Sequence, residues 1–275
     1  MIQDIYPDRL DNRYVNCQPA QDSPVMSFRD GILLAKYDAG EEALRFPERR
    51  AFPGEMNAVF LFSVAGRPYF LDLDGTALLE GYGAYSMRDL RGLRLSGNTG
   101  IYAAYTAYHL WKWYRTSKYC GACGGETVLS ERERAIVCPK CGNVIYPRIN
   151  PAVIIGVTNG NRLLLTRYRT GFAHNALVAG FTEIGETLEE TVQREVMEEV
   201  GLRVKNIRYY KSQPWGVTSD ILAGFFCDVD GDDAITRDDS ELKYAEWVER
   251  GDIVLQPSDY SLTNEMMSMF RQGAL

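Results

Sequence analysis

Four cysteines constrain this chain more than any other feature. Cys120-Gly-Ala-Cys123 and Cys138-Pro-Lys-Cys141 form two CxxC pairs separated by fourteen residues. Tetrahedral zinc takes four soft ligands within a few ångströms, and each CxxC turn presents two. Residues 124–137 are long enough for a hairpin that brings the pairs together, and Gly121, Gly124 and Gly142 suit tight knuckles. The spacing predicts a zinc ribbon. With all four positions filled by protein, no place is left for a substrate, so this zinc is expected to be structural. A disulfide reading is disfavoured, because residues 1–10 carry Asp4 and Asp8 and no apolar leader, which points to the cytoplasm. Cys17 and Cys227 stand alone and read as small buried apolar residues.

The ribbon divides the 275 residues into three expected domains: 1–117, the ribbon at 118–148, and 149–275. Charged residues make up 24% and hydrophobic residues 45%, the balance of a globular chain. No apolar run approaches the roughly 20 residues of a membrane span. A net charge of −7 gives no overall basic footprint for duplex nucleic acid. His109 and His174 are the only histidines, too few for several histidine metal ligands. In the first domain, 58–64 and 68–73 read as strands. Residues 99–115 read as a helix whose Tyr102, Tyr105, His109 and Trp113 form a core or subunit-contact stripe. Beyond the ribbon, Pro147 and Pro151 predict an extended connector. Strands are expected at 152–158, 162–167, 176–181, 209–211, 221–229 and 244–248, with a loop through Gly171 and His174. Helices are expected at 188–200, ended by Gly201, and at 263–271. The fold class is α+β.

The richest segment is 180–202. Glu195, Glu198 and Glu199 fall three and four residues apart on the predicted helix, along one edge. Like charges at that spacing repel, and a divalent cation with a taste for oxygen, Mg²⁺ or Mn²⁺, would remove the repulsion. Val192 and Val196 lie opposite and can pack inward. Arg194 can pair with Glu186 and fix the loop before the helix. A solvated acidic face alone would not require the glycines and the arginine that frame it.

The segment Gly180-x5-Glu186-x7-Arg194-Glu195-Val-Met-Glu198-Glu199-Val-Gly201-Leu202 matches the Nudix box at every position, and the chain resembles Nudix hydrolases. The resemblance implies a C-terminal α/β/α Nudix sandwich that cleaves a nucleoside diphosphate linked to another moiety. Glu195, Glu198 and Glu199 would ligate the catalytic metal, and Glu198 or Glu199 would also handle the proton of the attacking water. Gly180, Glu186, Arg194 and Gly201 are structural in the box. Metal would neutralise the pyrophosphate and acidify bound water, with no covalent intermediate.

A four-cysteine ribbon upstream, a Tyr146-Pro147 connector and Ser212-Gln213-Pro214-Trp215 downstream resemble the NADH pyrophosphatase branch, also described as NAD-capped RNA hydrolases. That branch carries SQPWPFPxS; here Gly216, Val217, Thr218 and Asp220 replace its Pro, Phe, Pro and Ser. The resemblance implies hydrolysis of NADH or NAD to nicotinamide mononucleotide and AMP, and removal of NAD caps from RNA. It places Tyr146, Phe181, Gln213, Pro214, Trp215, Asp220, Thr263 and Arg88 at the substrate. It adds the Ala179 carbonyl and Glu241 to the metal ligands, with Asp238 and Asp239 as neighbours of Glu241. It implies a homodimer. The alternatives are hydrolysis of ADP-ribose or another NDP-X, suggested by the altered 216–220 loop, and a non-enzymatic binder, which an intact box disfavours.

Overall fold

The computed structural model describes residues 1–169 and 174–274, so Gly171 of the expected loop lies outside the described residues. The chain divides by contact into two units: Ile2–Arg148 with Trp215–Ser219, and Met1 with Ile149–Pro214 and Asp220–Leu275. Among the described residues no helix is long and apolar enough to cross a membrane.

The unit that begins at Ile2 holds strands β1 (Leu10–Asp11), β2 (Val25–Arg29), β3 (Ile32–Asp38), β4 (Ala43–Arg45), β5 (Ala58–Val64), β6 (Arg67–Asp72) and β7 (Gly83–Tyr85). They pair in the order β1-β5-β6-β2-β3-β4, with β7 on β3. The predicted hairpin is β5–β6, but four of these strands are two to five residues long and carried no alternation to read. Helices α1 (Met87–Arg91) and α2 (Thr99–Thr116) follow. The aromatic stripe of α2 is largely core: Tyr105 and Trp113 are buried, while His109 Nε2 meets the Arg148 carbonyl at 2.7 Å. The ribbon adds β8 (Val128–Leu129), β9 (Ile136–Val137) and β10 (Val144–Ile145), an antiparallel meander.

The other unit is an α/β/α sandwich. Strands β11 (Asn150–Asn159), β12 (Arg162–Tyr168), β13 (Val178–Phe181), β14 (Val204–Trp215), β15 (Asp220–Val229) and β16 (Leu242–Glu249) form a mixed sheet in the order β14-β15-β11-β12-β16, with β13 on β11. Helices α3 (Leu188–Val200) and α4 (Leu262–Gln272) cover its two faces. Strand alternation decides which residues meet which helix. Val153, Ile155 and Val157 of β11 pack with Val192, Val196 and Val200 of α3. Ile154 points the other way and joins Leu262, Met266, Met267 and Phe270 of α4. Each such fully buried side chain contributes about 1.5–3 kcal/mol. The strand expected at 209–211 extends over 204–215, because β14 is an edge strand whose Lys205, Asn206, Arg208 and Lys211 face outward and hide the pattern. Pro151 is not connector but the second residue of β11. Cys227 is fully buried in the α3-side core, and Cys17 is half-buried.

Candidate active site

Helix α3 is held at both ends by local chemistry. Thr187 caps its first turn by accepting from the Glu190 amide, and Glu190 returns a bond to Thr187. Gly201 ends the helix at φ +70°, the left-handed cap that the sequence predicts. The loop before it is fastened by Arg194, whose Nε and Nη2 donate to Glu186 at 2.6 and 3.0 Å and whose Nη2 also donates to the Phe181 carbonyl at 2.9 Å. That ion pair holds the Glu186 carboxyl at about 2, well below its ordinary range.

The box glutamates lie along one edge of α3 but differ in exposure. Glu198 faces solvent, with its side chain 58% exposed, and takes a bond from Arg194 Nη1 at 2.9 Å. Glu195 is mostly covered, accepts from the same Nη1 at 2.8 Å, and lies over Gly180. Glu199 is buried at 2% exposure: a turn of 100° per residue carries it from the solvent edge to the sheet. Burial pushes the Glu199 carboxyl up to about 8; the charges of Glu195 and Glu241 add to the rise, and a bond from Tyr168 opposes it. Glu195 is raised as well, first by burial, then by Glu198 and Glu241.

These groups suit a divalent cation by chemistry. Glu199 Oε2 is buried without a hydrogen-bond partner, which is a costly state for a carboxylate oxygen and one a cation would relieve. The donors are all oxygen: Glu195, Glu198, Glu199, the Ala179 carbonyl and Glu241, whose charge acts on both Glu195 and Glu199. Asp238 and Asp239 are engaged elsewhere, Asp238 with Ser240 and Asp239 with Arg237.

The cysteines fit zinc directly. Their four sulfurs lie within 4.8 Å of one another, with Cys120–Cys141 at 3.6 Å and Cys123–Cys138 at 3.5 Å. A tetrahedral ion with zinc–sulfur bonds of about 2.3 Å sets sulfurs about 3.8 Å apart. The two knuckles match: the Gly124 and Gly142 amides each bond the carbonyl of the first cysteine of their pair at 2.8 Å, both glycines at left-handed φ. Among the described residues this is the group of acidic, histidine or cysteine donors drawn to metal-ligand spacing.

The expected substrate residues are distributed over the two units. In the sandwich unit, Phe181 is 52% exposed at the end of β13. Thr263 is half-buried in the first turn of α4, and Pro214 is half-buried. Gln213 is fully buried, its amide donating to the Tyr260 carbonyl and accepting from the Leu262 amide, both at 2.7 Å. Asp220 is buried at the start of β15. In the other unit, Tyr146 is 56% exposed and its hydroxyl donates to Glu133 at 3.1 Å, a partner that no motif announced. Trp215 packs edge-on against Tyr105 at 5.3 Å. Arg88 is exposed on α1, whereas Arg91, one turn on, lies over the Trp215 ring at 5.5 Å. Arg91 belongs to no motif, and only its helical spacing from Arg88 could have flagged it as the neighbour of Trp215.

Two parts of the chain match known families. Residues 148–269 match the NUDIX domain, and residues 115–146 match the NADH pyrophosphatase zinc ribbon domain. A protein of Shigella flexneri named NAD-capped RNA hydrolase NudC is 43% identical over 149 residues, which are 53% of this chain and 57% of that protein. A protein of the same name from Escherichia fergusonii is 40% identical over 172 residues, 62% of this chain and 63% of that protein. The chain thus spans about three fifths of the length of the curated relatives it matches. The crystal structure of a NUDIX hydrolase from Nitrosomonas europaea shares the fold at a TM-score of 0.50 and 23% identity, over 56% of this chain and 90% of that one.

Proposed function

Since this chain carries a Nudix domain directly behind an NADH pyrophosphatase zinc ribbon, we propose that it hydrolyses the pyrophosphate of NADH or NAD to nicotinamide mononucleotide and AMP, and acts on RNA bearing a 5′ NAD cap. The observation that carries this reading is Glu199: a buried carboxylate with one unpartnered oxygen, beside Glu195 and Glu241, in an intact box. Glu195, Glu198, Glu199, Glu241 and the Ala179 carbonyl would hold the divalent cation, Mg²⁺ or Mn²⁺. When bound, it supplies charge neutralisation on the pyrophosphate and acidifies a water.

The chain's own groups do the rest. Glu198, open to solvent, accepts the proton of the attacking water. Arg194 and Glu186 fix the loop that carries Phe181 toward α3. Phe181 offers a flat face to an adenine or nicotinamide ring. Zinc in the ribbon is structural. A homodimer and a cytoplasmic location belong to the same reading.

A second reading, hydrolysis of ADP-ribose, draws support from Gly216, Val217, Thr218 and Asp220, which depart from the branch's loop. Product analysis of purified protein with Mn²⁺ and NADH, NAD, ADP-ribose or NAD-capped RNA separates the two. Nicotinamide mononucleotide and AMP formed fastest from NADH, and lost in Glu199→Gln, supports the first. ADP-ribose cleaved with NADH untouched replaces it with the second.

A further inference from the structure

Tyr168 belongs to no motif, yet it touches two groups of the metal set. Its hydroxyl lies 3.2 Å from Glu199 Oε1 and 3.3 Å from the Ala179 carbonyl oxygen. One hydroxyl has one proton, so these acceptors compete for it. The ring packs against the hydrophobic cluster to which β11 and α3 contribute, which limits where the hydroxyl can point. The strand pairing bends at the same place: Arg167 pairs with Tyr244 and Tyr168 with Leu242, so Lys243 is passed over as a bulge. Bulges bend a strand and re-aim its end. Here the bulge brings Glu241 alongside β12, its carbonyl accepting from the Arg169 amide at 3.0 Å.

Resting on the proposed Nudix site, we propose that Tyr168 is a positioning residue: its hydroxyl holds Glu199 Oε1, so that Glu199 Oε2 is the oxygen presented to a divalent cation beside the Ala179 carbonyl. Oε2 is the atom left without a partner, while Oε1 is engaged. A carboxylate so held offers one oxygen in one direction. Without the hydroxyl, the Glu199 side chain can rotate and offer either oxygen. Outer partners of this kind typically account for about 10–100-fold in metal affinity.

The test is Mn²⁺ binding by calorimetry to the full chain, freed of Mg²⁺ and Mn²⁺ with ribbon zinc retained. Tyr168→Phe keeps the ring and its packing. Its Mn²⁺ dissociation constant is expected to rise about tenfold, with kcat falling at low Mn²⁺ and recovering at high Mn²⁺, and KM for the dinucleotide unchanged. A purely structural tyrosine would lower the melting temperature and leave Mn²⁺ affinity alone; that result overturns the inference. A second arm guards against a folding defect: in Glu199→Gln, adding Tyr168→Phe is expected to have no further effect on Mn²⁺ affinity, and additive losses overturn the inference. Glu199→Gln that keeps both Mn²⁺ affinity and activity defeats the site itself. Glu199→Gln that loses both, beside an unaffected Tyr168→Phe, defeats only Tyr168.

Discussion

The carboxylate of Glu195 occupies the space that a side chain on residue 180 would need: a Cβ on Gly180 would meet Glu195 Cδ at 1.9 Å. Gly180→Ala must therefore displace Glu195 or part β13 from α3. A shift of about 1 Å near reacting groups lowers turnover about 100-fold. Steady-state kinetics of Gly180→Ala, with circular dichroism to confirm folding, is expected to show that loss in kcat. A folded variant at full activity would mean that the position of Glu195 is immaterial.

The Glu186–Arg194 pair makes a pH-dependent contribution to stability. The native Glu186 carboxyl sits at about 2, below its ordinary value of 4.5, because Arg194 donates to it. A lowered carboxyl stabilises the fold fully above the unfolded value and loses that contribution as pH falls toward the native one. Urea midpoints of the unaltered protein and Glu186→Gln should differ most at pH 6–7, draw together below about pH 4.5 and meet near pH 2. A gap that stays constant down to pH 3 would assign the effect to packing.

Cys123→Ser removes one of four sulfurs held within 4.8 Å. The variant is expected to purify with little zinc, and deuterium uptake should rise across residues 119–145, since ribbon folding and metal binding are one event. Full zinc content with unchanged exchange would show that three cysteines suffice.

Arg91 and Arg88 make a paired test. Arg91 lies over Trp215, and Arg88 is exposed on the same short helix. Arg91→Ala removes that contact, worth about 1–2 kcal/mol, and should lower the urea midpoint, while Arg88→Ala leaves it unchanged. Equal midpoints for the two variants would mean that the contact adds no stability.

Legibility followed the range of the chemistry. The ribbon and the box are local: CxxC spacing and the Arg194–Glu186 pair act within a turn or a loop, so spacing alone revealed them. Helix α3 ran from 188 to 200 as expected, because its cap and apolar face are written in consecutive residues. Tyr168, Glu133 and Arg91 were not legible. Each acts on a partner fixed by tertiary contact, across 31, 13 and 124 residues respectively. Glu199 was read as a metal ligand on the helix edge, and only the packing of α3 against the sheet shows it to be buried. Gln213 was read as a substrate contact, while its amide bonds the backbone at the start of α4.

The boundary between Arg148 and Ile149 invites dissection, but it is not a clean place to cut. Trp215–Ser219 lies far downstream of it, yet belongs by contact with the upstream residues. Gly216 there approaches α2 so closely that a Cβ would come within 1.9 Å of the Tyr105 carbonyl oxygen, which proline, the branch's residue at this position, could not accommodate. A shortened gene starting at Ile149 would encode an intact Nudix box and a five-residue insert stripped of its packing partners. Grafting this segment into a relative, or a relative's segment into this chain, would likewise have to carry the facing turn of α2 along with it.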